Sequence, residues 1–286
     1  MGAMPDWYVL LACPKCKEPI QPQGKSLVCE ACAAHYEVGL NAVWMLPGTP
    51  SDRQRLESTD GQVMVSGYRQ PNRLLKALRH LISSEYFPGK AWRAAKARTL
   101  ANGPNTLILG SGVTRYPNAI HLDLDDFPGV DVVADAHSLP FRDGCMDGVV
   151  CEVVLEHAAQ PLRILCETQR VLKPGGRFFF VVPFVFPYHG HPADYRRWSK
   201  QGLEQDFSAF SNLEIGIMGG PCSSMVNLWS EWAYTLSGLR FPKGYTLIKG
   251  GATALLFPIK FLDALVNRFP EAHRLASTLY IAGQLE

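Results

Sequence analysis

The chain has 286 residues, enough for one or two domains, and its 47% apolar content is ample for a packed core. With 19% charged residues and a net charge of +2, it is neither a disordered polyion nor a globally basic nucleic-acid binder. No apolar stretch reaches the roughly 18 residues of a membrane span. The opening residues carry Asp6 in place of a basic and then apolar signal, so a reducing, cytoplasmic setting is expected for the cysteines.

Cys13-Pro14-Lys15-Cys16 and Cys29-Glu30-Ala31-Cys32 are two CxxC knuckles separated by twelve residues. A two-residue spacer lets both sulfurs of a knuckle turn toward one ion, and tetrahedral zinc takes four thiolates. Cys13, Cys16, Cys29 and Cys32 are therefore expected to hold a structural zinc, with His35 as a neighbour. Residues 10–46 resemble the zinc ribbon of the Trm112-like group, which has a tyrosine and a short strand after its last knuckle, as in His35-Tyr36-Glu37-Val38. A domain over residues 1–48 cannot bury enough surface alone, and metal ligation makes up the deficit. Its purpose stays open among docking a nucleic acid, supporting a partner and capping the rest of the chain. Lys15, Lys17 and Lys25 balance Glu18, Glu30 and Glu37, which leaves no electrostatic footprint for RNA and disfavours a nucleic-acid partner.

Residues 49–104 read as a linker and a basic helical connector. Helical spacing of Leu74, Leu75, Leu78, Leu81 and Ile82 predicts a helix over Asn72–Ser83, and a second is expected over Lys90–Leu100. From Arg69 to Arg98 there are eight Lys or Arg and one Glu. This is either a solvated outer face or a rim that attracts an anionic acceptor.

Four short apolar runs follow. Thr106–Leu109 breaks at Gly110-Ser111-Gly112; Ala119–Leu122 ends on Asp123, Val130–Ala134 on Asp135 and Asp147–Cys151 on Glu152. Such runs read as buried strands of a parallel sheet, whose carboxyl ends bind ligands. Glycines admit a ligand to the backbone, and an acid ending the second strand can hold both ribose hydroxyls. Arg115 stands where a dinucleotide fingerprint has its third glycine, and Gly110–Asn118 is too short for a useful helix. The phosphate cradle is therefore expected to be missing, which suits a nucleoside cofactor without phosphates.

Residues 106–183 resemble a class I S-adenosylmethionine-dependent methyltransferase of the type 11 group. The likeness is carried by Leu109-Gly110-Ser111-Gly112, Asp123, Asp135-Ala136 before Leu139-Pro140-Phe141, Val154-Leu155-Glu156-His157, and Arg170-Val171-Leu172-Lys173-Pro174-Gly175-Gly176. It implies an α/β, Rossmann-like seven-stranded sheet over residues 105–286, with a helical insertion at about 221–276 before the last strand. It implies Gly110 and Gly112 beside the methionine part of S-adenosylmethionine, Asp123 on the ribose, Asp135 and Ala136 at the adenine, and Glu152 and Val153 on the far wall. Ser111, Leu124 and His137 complete the expected cofactor contacts. His157 reads as a packed helix-start residue.

A helix is expected over Pro161–Leu172 and a fifth strand, apolar on both faces, over Arg177–Val182. The loop Pro183–Trp198 then overhangs the methyl donor. Methyl transfer is an in-line displacement, so the protein mainly aligns the reactants, and a hydroxyl acceptor gains from a base. His189 or His191 is the expected base and Asp194 its orienting group, with Tyr188, Tyr195 or Arg196 gripping the acceptor. A serine-capped helix over Ser199–Phe210 and a strand over Asn212–Met218 follow. Next come helices over Ser223–Leu236 and Leu247–Phe269 and a closing strand over Ser277–Gln284. The insertion reads as a lid, a homodimer surface or a shallow membrane contact. The expected activity is O-methylation of a small metabolite or glycan unit. The rivals are an RNA methyltransferase docking through the ribbon and a non-catalytic scaffold.

Overall fold

The computed structural model describes residues 5–39, 42–46, 89–190, 193–238 and 242–286. The linker, the helix expected over Asn72–Ser83 and the candidate base His191 lie outside the described residues. Among the described residues, eleven strands form one sheet: β1 (Gln21–Gln23), β2 (Ser26–Cys29), β3 (Ala34–Val38), β4 (Val43–Trp44), β5 (Thr106–Leu109), β6 (Ala119–Asp123), β7 (Val132–Val133), β8 (Met146–Glu152), β9 (Leu172–Pro183), β10 (Ser211–Gly219) and β11 (Thr278–Gln284). Their order is β1-β2-β3-β4-β7-β6-β5-β8-β9-β11-β10. The stretch from β4 to β9 is parallel, and β11 runs antiparallel between β9 and β10.

The count of seven strands is thus corrected to eleven. Seven come from residues 106–284, and four more are added by the amino-terminal segment because β4 pairs with the edge strand β7. Val43 donates its N–H to Asp131 O and Met45 to Val133 O, both at 2.9 Å. An edge strand presents unpaired backbone groups that are costly to leave dry and hazardous to leave open, and β4 satisfies them. The two parts are tied further by Lys17. Its Nζ donates to Glu167 Oε2 at 2.8 Å, Ser138 Oγ at 3.0 Å and Leu139 O at 3.2 Å. Burial would raise the Glu167 pKa, but Arg170 and Lys17 override it and hold the carboxyl low.

Strand alternation divides the core. Phe178, Phe180 and Val182 enter one cluster with Leu107, Leu109, Val149 and Phe207, while Phe179 and Val181 enter another with Ile108, Val150 and Ala95. Ala95 belongs to α1 (Ala91–Leu100). The larger cluster also takes Ile164, Leu165 and Val171 of α2 (Pro161–Val171), a helix begun by proline at its first position. Ser199 caps α3 (Lys200–Asp206), accepting from Gly202 N–H. Between β10 and β11 stand α4 (Pro221–Ser237), α5 (Pro242–Leu256) and the short α6 (Asp263–Val266). The single helix expected over Leu247–Phe269 is broken, with a 3-10 segment Phe257–Leu262 around Pro258. No helix among the described residues is long and apolar enough to cross a membrane.

Candidate active site

The carboxyl ends of β5 and β6 are stitched together by the glycine turn. Gly110 has φ +61°, and a Cβ there would lie 2.3 Å from Val154 Cγ2, so only glycine fits. Ser111 donates its N–H to Leu122 O at 3.1 Å. Gly112 donates its N–H to Asp123 Oδ2 at 2.7 Å, and Asp125 donates to Oδ1 at 3.0 Å. Burial pushes the Asp123 carboxyl up, and these amides partly offset it. No helix stands between β5 and β6. Arg115 instead folds back over the turn, donating to Gly112 O at 2.9 Å and to Pro128 O. The amide that a phosphate would need is occupied by Asp123.

Asp135 ends β7's run and caps the turn Ala136–Ser138. Its Oδ1 accepts from His137 N–H at 2.9 Å and lies 2.6 Å from His137 Nδ1. With Ser138 it lines a cavity of about 470 Å³ whose opposite wall is Pro14, Lys15, His35 and Met45. Read as separate units in the sequence, the two parts share this cleft. Leu124 and Val153 are exposed at the strand ends, and Val153 has φ +59°. Glu152 is drawn away to α1. Its oxygens lie 3.0 and 3.2 Å from Lys96 Nζ, and Tyr116 OH donates to Oε2 at 2.9 Å. Lys96 also lies over the rings of Trp92, Tyr116 and Phe179. Lys96, one of the basic residues of the expected helix, and Tyr116 lie 56 and 36 residues before their partner, too far for spacing to pair them with Glu152.

The loop after β9 is built on Asp194, whose side chain is 1% exposed. Arg197 grips both its oxygens, with Nη2 at 2.6 Å from Oδ2, and holds the carboxyl at about 2. Arg197 donates as well to Pro187 O at 2.9 Å. The organising arginine is thus Arg197, and Arg196 is exposed. Asp194 Oδ2 accepts His189 N–H at 2.9 Å and lies 3.3 Å from its Nδ1. The structure brings this pair together, but Nε2 does not face open space. It lies 3.2 Å from Oε1 of Glu156, a fully buried residue. That contact, helped by Pro187 O, raises the His189 pKa against burial, which lowers it. His157 completes the group, with Nε2 3.8 Å from Glu156 Oε1 and Nδ1 2.5 Å from Ala193 O. Glu156 stands in the 3-10 turn Leu155–His157 beyond β8, a carboxylate directly after the apolar Val153-Val154-Leu155.

Tyr188 and Tyr195 are exposed. Tyr195 N–H donates to Glu156 O at 2.7 Å. Tyr188 and Pro187 form one wall of an apolar groove of about 700 Å³, opposite Met225, Leu228, Trp229 and Trp232 of α4.

The four cysteines of the amino-terminal segment are free thiols whose sulfurs lie within 4.8 Å of one another. Cys13 Sγ is 3.5 Å from Cys32 Sγ, and Cys16 Sγ is 3.4 Å from Cys29 Sγ. Four thiolates converging at this spacing fit a tetrahedral Zn–S shell, and Tyr36 OH at 3.0 Å from Cys13 Sγ is an outer-shell partner.

Residues 109–180, which hold the glycine turn and all three strand-end acids, match the model of a methyltransferase domain. The fold that carries this segment is Rossmann-like, with a mixed sheet. The ubiquinone/menaquinone biosynthesis C-methyltransferase of Acidiphilium cryptum is 53% identical over 47 residues, 16% of this chain and 19% of that protein. A human thiol S-methyltransferase is 41% identical over 69 residues, 24% of this chain and 27% of its own. The 2-phytyl-1,4-naphtoquinone methyltransferase of Synechocystis is 30% identical over 131 residues, 44% of this chain and 48% of that protein. The chain thus spans between about a fifth and about half of the length of these curated relatives. Among solved structures, Haemonchus contortus phosphoethanolamine N-methyltransferase 2 with S-adenosyl-L-methionine aligns at TM-score 0.43 and 14% identity, covering 93% of this chain and 71% of that one. A complex of the Haloferax volcanii Trm112 methyltransferase activator with a methyltransferase aligns at TM-score 0.42 and 19% identity, covering 73% and 91%.

Proposed function

We propose that this protein transfers a methyl group from S-adenosylmethionine to an oxygen of a small acceptor. The observation that carries the reading is the glycine turn locked onto Asp123, at the point where the strand order reverses, inside the segment matched to the methyltransferase domain. The cofactor, when bound, supplies an electrophilic methyl on a sulfonium. Gly110 and Gly112 admit its methionine portion, Asp123 holds the ribose, and Asp135, Ala136 and His137 stand at the base. Two acids and open apolar side chains, without a phosphate cradle, suit an uncharged-sugar nucleoside. Structural zinc at the four cysteines stabilises the segment whose side chains face Asp135.

On the acceptor side, the Glu156–His157–His189 cluster activates the hydroxyl, with Asp194 and Arg197 fixing the His189 ring. The acceptor oxygen bonds to the methyl carbon as the carbon–sulfur bond breaks with its electron pair staying on sulfur, and the hydroxyl proton passes to the Glu156–His189 pair. The groove beside Tyr188 favours an acceptor with an apolar body over a free glycan, and two of the similar proteins are named for quinones. Calorimetry with S-adenosylmethionine tests the donor side. Asp123→Ala should weaken binding by about 1–3 kcal/mol, the loss of charge-assisted hydrogen bonds. Unchanged affinity removes the ribose assignment, and absence of binding to the wild type removes the function.

A further inference from the structure

We infer that Glu156, His157 and His189 form a divalent-metal site distinct from the four cysteines. The inference rests on reading this cluster as the acceptor side. The three ligand atoms lie within 4.8 Å of one another. Donors about 2.1 Å from one ion stand roughly 3.4 Å apart in a tetrahedron. The separations of 3.2 Å (Glu156 Oε1 to His189 Nε2) and 3.8 Å (Glu156 Oε1 to His157 Nε2) straddle that value.

The surroundings fix which nitrogens are free to ligate. His157 Nδ1 lies 2.5 Å from Ala193 O, a carbonyl that only accepts, so its hydrogen is on Nδ1. His189 Nδ1 faces two acceptors, Pro187 O at 3.2 Å and Asp194 Oδ2 at 3.3 Å, while Arg197 Nη2 approaches no nearer than 3.5 Å. As neutral rings, both histidines therefore turn an Nε2 lone pair toward the Glu156 carboxylate. Acceptors converging in this way repel one another unless a metal ion, or a proton on one ring, lies among them. The other Glu156 oxygen, Oε2, is buried and makes no hydrogen bond, an arrangement that is expensive for an ionised carboxylate. Backing of each Nδ1 by a carbonyl or carboxylate is the outer shell that metal-bound imidazoles have. Two imidazoles and one carboxylate, with positions left for a substrate oxygen, suit Zn²⁺, Mn²⁺ or Fe²⁺.

An ion there takes over the activation. It binds the acceptor hydroxyl and lowers its pKa, the proton passes to solvent water, and the oxygen lone pair forms the new bond to the methyl carbon. The carbon–sulfur pair stays on sulfur.

The test loads the full chain with excess Zn²⁺, desalts it and counts zinc per chain by inductively coupled plasma mass spectrometry. Two ions are expected in the wild type and one in His157→Gln and His189→Gln, the retained cysteine-bound ion reporting that the variants are folded. Cys16→Ser should keep one ion, which adding His157→Gln removes. Equal counts in the wild type and both histidine variants overturn the inference and leave an imidazolium–carboxylate pair only. Calorimetry with S-adenosylmethionine on the same samples separates the two readings. Cofactor binding with equal zinc counts sinks this inference alone, and two ions without cofactor binding sink the functional reading alone.

Discussion

Asp194 shows how one residue sets the geometry of a loop. Arg197 holds its carboxyl at about 2, below the ordinary 3.8, so the folded state binds this proton less readily than the unfolded one. The pair's contribution is complete above about pH 4 and is lost as pH falls toward 2, and a difference of this size is worth about 2 kcal/mol. Asp194→Asn should therefore lower stability at pH 7 by about 2 kcal/mol, and the deficit should roughly halve by pH 3. Urea unfolding at the two pH values checks this, and equal deficits would mean that the pair is not ionised as described. At this scale the sequence located the acids Asp123, Asp135, Glu152 and Asp194 because each ends an apolar run or stands in a polar loop. It did not reveal their partners: Glu152 meets Lys96, and His189 meets Glu156 33 residues earlier.

Elements followed the residue pattern where local signals agreed. Pro161 opens α2, Ser199 caps α3, and β9 is apolar on both faces because it is central. The pattern misled over Leu247–Phe269, where helical spacing ran through Pro258. The chain breaks there and brings the buried Asp263 back to α4, where it accepts from Cys222 N–H at 2.8 Å, Ser223 N–H at 3.0 Å and Ser223 Oγ–H at 2.6 Å. A carboxylate capping a helix from a distant element cannot be read from local periodicity. The cysteine segment makes its own prediction. Its strands are short and β1 is wholly exposed, so the proposed zinc carries much of its order. Removing the metal with a chelator should free the β7 edge, raising hydrogen exchange at Val43 and Met45, whose amides bond to the neighbouring strand, while β8 and β9 stay protected. Uniform protection before and after chelation would show that the metal is not structural.

At the scale of the whole molecule, the described strands form one sheet whose centre holds the proposed donor site and whose edge is completed by the cysteine segment. Lys17, β4 and the shared cleft at Asp135 join them, so ordering one should be felt by the other. A cofactor that binds only the folded chain stabilises it by about 2.7 kcal/mol at 100 times Kd. S-adenosylmethionine at that concentration should raise the melting temperature by several degrees, roughly 2–4 °C per kcal/mol for a chain near this size. A midpoint indifferent to the cofactor would contradict binding at the switch point.

Strand-end acids, the glycine turn and the paired CxxC knuckles are local patterns, fixed by spacing and side-chain chemistry along a few residues, and the sequence determined them unaided. Joining β4 to β7, bringing His189 onto Glu156 and pairing Glu152 with Lys96 depend on residues that meet only after the sheet closes. Such contacts are set by the geometry of packing across the fold, and only the tertiary structure decided them.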